Sequence, residues 1–107
     1  MTSKALLDAW AAERAPAKTH EAYSIRLSNE DAARVHAFAD LFPGVDAERI
    51  ISDLLAAALE QTEAAIPYVQ GDRIIREDEF GDPVYEDVGL TSRFRELVRA
   101  HRKRLET

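Results

Sequence analysis

His20, His36 and His101 are the side chains of this 107-residue sequence best suited to proton transfer or metal binding, and their placement gives them neither task. A helical metal pair needs two ligands one turn apart, and no histidine here has a second at that spacing. Cysteine is absent, which removes thiolate zinc sites, disulfides and thiol nucleophiles. Glu77, Asp78, Glu79 and Asp82 form the densest carboxylate cluster, but Phe80 stands where a calcium loop requires Asp or Asn, so a solvated acidic hairpin is expected. There is no glycine-rich phosphate loop and no Ser-His-Asp ordering that geometry would endorse. The expectation is a protein that binds and does not catalyse, with no cofactor and no metal.

Recognition chemistry needs a scaffold, and the scaffold is legible from periodicity. Ser3 is a candidate cap for a first helix running through Arg14, with Leu6, Leu7, Trp10 and Ala11 as its apolar stripe and Pro16 as its stop. Tyr23, Ile25 and Leu27 then alternate with Ala22, Ser24, Arg26 and Ser28, the period-two pattern of a half-buried strand. Ser28 followed by Asp31 is a short form of the capping box, which starts a helix at Asn29. Ala32, Val35, Phe38, Ala39 and Phe42 make its inner face, and Pro43-Gly44 ends it. Asp46 caps the next helix, whose Ile50, Ile51, Leu54, Leu55, Ala58 and Leu59 form a broad apolar face up to Ile66, before Pro67. Beyond Pro67, Ile74–Asp78 and Val84–Asp87 flank Gly81-Asp82-Pro83 as a β-hairpin, and Thr91 or Ser92 opens a last helix with Phe94, Leu97, Val98, His101 and Leu105 on one face.

This layout predicts a mainly α chain with a short β-ribbon, in three parts: an N-terminal helical arm over 1–18, a dimerisation core over 19–66, and an acidic hairpin with a basic amphipathic helix over 67–107. A chain of 12.0 kDa buries only a modest share of its surface alone. It also offers one good strand before two amphipathic helices, and a strand without a partner leaves backbone groups unpaired beside an apolar face. A second copy of the chain supplies the missing strand, pairing antiparallel across a two-fold axis. Tyr23, Ile25, Leu27, Val35, Phe38, Ile50 and Leu54 are the expected dimer core.

The order and spacing of Tyr23-Ser24-Ile25-Arg26-Leu27-Ser28, the Val35, Phe38, Ala39 stripe, the glycine turn, and Ile50-Ile51 with Leu54-Leu55 resembles the ribbon-helix-helix superfamily of bacterial DNA-binding dimers, the MetJ, Arc and CopG type. The resemblance covers about 45 residues. It implies an intertwined dimer whose ribbon enters the major groove, with Ala22, Ser24 and Arg26 at the base-reading positions and a phosphate anchor around Asp46 to Glu48. Arg26 suits guanine O6 and N7, Ser24 suits either base type, and Ala22 offers a methyl contact. Asp46 and Glu48 place carboxylates where a phosphate would approach, which leaves Lys18, His20 and the basic last helix to supply positive charge. Pro67-Tyr68-Val69-Gln70-Gly71 and Gly81-Asp82-Pro83-Val84-Tyr85-Glu86-Asp87 are more distantly similar to small bacterial proteins labelled as pilin assembly or pilus tip components, which implies a regulatory or adaptor role linked to pili.

Charge sharpens the alternatives. Residues 29–66 carry a net -6 and residues 67–89 a net -5, whereas residues 90–107 carry +4, within a total of -6. The first reading is a small transcription regulator that binds DNA as a homodimer. The second keeps the dimer without DNA, as an adaptor that meets a protein partner through the Trp10 helix, the acidic hairpin or the basic C-terminal helix. Trp10 itself is expected to dock the first helix on the dimer or to anchor such a partner. The apolar runs are too short to span a bilayer and the first residues lack a basic region followed by an apolar one, so a soluble, cytoplasmic protein without membrane contact is expected.

Overall fold

The computed structural model describes residues 2–12 and 21–106, and the described chain is mainly helical with one two-stranded antiparallel hairpin. The order is α1 (Ser3–Ala11), α2 (Asn29–Leu41), α3 (Ala47–Ala64), β1 (Gln70–Glu77), β2 (Pro83–Asp87) and α4 (Thr91–Leu105). It divides into two compact units, residues 1–61 and residues 62–107. Among the described residues no helix is long and apolar enough to cross a membrane.

Helix starts in the first unit follow short polar side chains that accept otherwise orphaned N–H groups. Thr2, and not Ser3, caps α1, its Oγ1 accepting the Ala5 N–H at 3.1 Å. Ser28 caps α2 through the Asp31 N–H at 3.1 Å, and the Asp46 carboxylate takes the Arg49 N–H at 2.8 Å at the start of α3. α1 is shorter than its expected span, with its C-cap at Ala12, and Arg14 and Pro16 lie outside the described residues. α3 ends at Ala64; Ala65 and Ile66 close it with tighter bonds to the Thr62 and Glu63 carbonyls before Pro67 blocks continuation.

The core of this unit is small: Leu6, Trp10, Val35, Val45, Ile50 and Ala57, with Phe38, Ala39, Phe42, Ala47 and Ile51 packed against it. Trp10 is its hub. The indole is 2 % exposed and meets the Phe38 and Phe42 rings at tilted angles, with centroids 5.6 and 6.0 Å away. Its Nε1–H donates to Asp53 Oδ2 at 2.7 Å, and Asp53 is only 4 % exposed. Arg49 Nε lies 3.4 Å from the same oxygen, one helical turn away, so the buried carboxylate is held by one hydrogen bond and one ion pair. Arg49 Nε and Nη2 are themselves buried with no hydrogen-bond partner among the described residues, which leaves the guanidinium dependent on that ion pair.

Among the described residues of the second unit none is buried. β1 and β2 pair with Ile74 opposite Tyr85, Arg76 opposite Val84 and Glu77 opposite Pro83, and the register slips between Gln70 and Ile74 and again between Ile74 and Arg76. Asp87 ties the hairpin base to α4. Its Oδ1 accepts the N–H groups of Val69 at 3.1 Å and Gly89 at 2.8 Å. These two backbone donors, with the Thr91 side chain and the nearby Arg95 charge, hold the Asp87 carboxyl below its ordinary value.

Two expectations follow from these contacts. Asp53→Ala leaves the Arg49 charge buried and unpaired, so urea titration should show a loss of about 3–5 kcal/mol, whereas Asp53→Asn, which keeps an acceptor for the indole, should lose less. A loss below about 1 kcal/mol for Asp53→Ala would show the pair to be dispensable. Because the folded Asp87 carboxyl titrates below the ordinary 3.8, what it contributes is complete above that pH and drains away as the pH falls further. Hydrogen-exchange protection of the Val69 and Gly89 amides should therefore fall on acidification below 3.8, and in Asp87→Ala it should be low at every pH.

Candidate functional site

The period-two segment is where the isolated chain departs most from the sequence reading. Residues 21–28 are neither helix nor strand and contain no turn or bend. The expected β-ribbon is thus not formed within one chain, because a ladder needs a second strand. The backbone groups of Ser24, Ile25 and Arg26 make no hydrogen bond among the described residues, whereas the Ser28 carbonyl accepts the Ala32 N–H at 2.9 Å as α2 begins.

All the side chains of this segment are exposed. Tyr23 is 79 % and Ile25 62 % accessible, and the alternate positions Ala22, Ser24 and Arg26 are open as well. The Tyr23 hydroxyl donates to Glu21 Oε1 at 3.0 Å. Arg26 makes no ion pair with a described residue. Lys18 and His20, expected to add positive charge beside this segment, lie outside the described residues.

The seven expected core residues divide into two groups. Val35 and Ile50 are buried and Phe38 is half-buried within the chain's own core. Tyr23, Ile25, Leu27 and Leu54 are exposed. α3 explains the second group. Its inward stripe is Arg49, Ile50, Asp53 and Ala57, two of them charged, whereas Leu54, Leu55 and Leu59 face outward. A helix that turns its leucines to solvent and its ion pair inward has a second apolar face without cover. Leu54 also borders an apolar groove of about 150 Å³ formed with Leu6, Leu7, Trp10 and Phe38. A further apolar groove of about 300 Å³ lies on α2 between Arg34, Ala37, Phe38 and Leu41.

The start of α3 is acidic and occupied. Asp46 spends its carboxylate on the Arg49 N–H, and Glu48 stands exposed in the first turn. Two carboxylates thus stand at this helix start, one engaged as a cap and one open to solvent, and both complement the positive end of the helix. The buried Asp53–Arg49 pair escaped the sequence reading, since both residues count as polar-face positions; the one available signal was their spacing of four beside Ile50 and Ala57. The hairpin tip reads from sequence as solvated acid, and the sequence reading missed that Asp78 organises it by accepting the Phe80 and Asp82 N–H groups. Among the described residues no group of three or more His, Asp or Glu side chains is placed to hold a metal ion.

No protein-family model, curated protein or solved structure matches the chain.

The role of Asp46 separates cleanly into cap and charge. Asp46→Ala should lower stability to urea by about 1 kcal/mol, while Asp46→Ser should stay within a few tenths of the parent, because a serine hydroxyl caps as well. Equal losses for both would mean that the carboxylate contributes through its charge at the helix end.

Proposed function

We propose that the protein is a small homodimeric DNA-binding regulator in which residues 22–28 of two copies pair antiparallel and present Ala22, Ser24 and Arg26 to the major groove. The observation that carries this reading is the segment Ser24–Arg26, whose backbone makes no hydrogen bond among the described residues and whose apolar side chain Ile25, with neighbouring Tyr23 and Leu27, lies exposed. Pairing with an identical segment satisfies the main chain and puts Tyr23, Ile25 and Leu27 of both copies on one side, against the outward leucines of α3. The polar side then carries two copies of Arg26 and Ser24 related by two-fold symmetry, which suits a palindromic site. The resemblance to ribbon-helix-helix dimers supports the same arrangement.

A second reading keeps the dimer and makes it an adaptor for protein partners. The exposed carboxylates at the start of α3 favour it, because they repel a phosphate where that fold holds one.

Selection from a pool of random-sequence duplexes at low salt separates the two. The regulator should enrich a palindromic duplex, bind it with an affinity that falls steeply as salt rises, and lose about 1–3 kcal/mol of specific binding in Arg26→Ala. No enriched duplex, together with identical behaviour of Arg26→Ala, would overturn DNA reading and leave the adaptor.

A further inference from the structure

The hairpin tip is built to present one aromatic ring. Asp78 organises the loop from within: its Oδ1 accepts the N–H groups of Phe80 and Asp82, both at 2.9 Å, while its own N–H donates to the Asp82 carbonyl at 2.9 Å. Gly81 completes the turn at φ +82°, a conformation that side-chain-bearing residues rarely adopt, and donates to the Asp78 carbonyl at 3.0 Å. The result holds Phe80 82 % exposed, among the carboxylates of Glu77, Glu79 and Asp82, none of which has a hydrogen-bond or ion-pair partner among the described residues. An ordered loop that displays an aromatic ring has already met the entropic cost of fixing a binding anchor.

The same unit carries the complementary feature. A groove of about 270 Å³ is lined by Glu63, Arg95, Val98, Arg99 and Arg102. Arg95 stands 3.9 Å from Glu63, and the Arg99 and Arg102 guanidinium groups have no partner among the described residues. Val98 supplies an apolar floor, and guanidinium planes stack on an aromatic face. Phe80 is open to solvent, so the tip does not fill the groove of its own chain. None of the described residues of this unit is buried, so a further contact has apolar surface to cover.

We propose that the Phe80 tip of one copy seats in the Arg95–Val98–Arg99–Arg102 groove of a second copy, with Glu77, Glu79 and Asp82 facing the arginines. The contact is independent of the pairing of residues 22–28 and of DNA binding. Reciprocal docking closes a pair; one-way docking links copies head to tail.

The cysteine-free sequence makes a cross-linking test clean. Full-length Phe80→Cys and Val98→Cys are purified separately, mixed and mildly oxidised. The mixed disulfide should form at least about tenfold faster than between Phe80→Cys and Ala100→Cys, whose thiol lies on the opposite side of α4, because docked thiols meet at a raised effective concentration. The excess should disappear in about 1 M salt. Adding Glu77→Lys and Glu79→Lys to the tip variant should abolish it, and adding Arg99→Glu and Arg102→Glu to the groove variant should then restore it. Those substitutions spare Asp78, so the loop stays ordered. Equal rates for the two thiol positions, or an excess that survives the charge reversal unpaired with its complement, would overturn the proposal.

Discussion

A peptide backbone cannot leave its polar groups unpaired beside an apolar surface, and residues 24–26 carry that constraint for the whole first unit. Ser24, Ile25 and Arg26 have no backbone hydrogen bond among the described residues, and the side chains that alternate along this stretch cannot be buried by it alone. The helices that follow are consistent with the same shortage. α3 keeps its ion pair inside and its leucines outside, which is poor economy for a solitary chain and good preparation for a neighbour. The proposed ribbon resolves both features in one step, and that is why it is preferred to separate explanations for the segment and the helix.

The core that the chain does complete by itself is fixed by polar contacts as much as by volume. Trp10 brings α1 onto α2 and α3, and its N–H selects one orientation of the indole by meeting Asp53. Asp53 in turn offsets the charge of Arg49, whose buried Nε and Nη2 find no hydrogen-bond partner among the described residues. Such a pair adds little net stability over an apolar substitute, but breaking half of it is costly.

Much of this was legible in the sequence. Ser28, Asp46 and Pro43-Gly44 mark helix ends through chemistry that acts within three or four residues, and the structure places the ends there. The hairpin turn and the last helix follow from local signals as well, although β1 begins at Gln70 and not at the expected Ile74, and α4 opens at Thr91 without a side-chain cap. The cap at Thr2 in place of Ser3 is a one-residue difference between two side chains with the same capability. What periodicity missed was tertiary: a charged pair reads as a solvent face until an indole N–H from a helix 43 positions away makes a buried acceptor worthwhile. Periodicity likewise assigned a strand to 22–28, yet a strand is a property of two segments, and one chain supplies a single such segment there. Alternation predicts which side chains would share a face once paired, and leaves the identity of the other segment to the proposed dimer.

The uneven lengths of the hairpin strands have a consequence for solubility. β1 spans eight residues and β2 five, and the two register slips absorb the surplus on β1, where Ile74 and Ile75 are both open to water. A flat, regular edge bearing those isoleucines would invite stacking of identical copies into fibrils. Irregular pairing coils the ribbon and interrupts the template, while Pro83 removes a donor from β2 and Asp72, Arg73 and Arg76 add charge to β1. The hairpin is thereby a poor template for the stacking of identical strands.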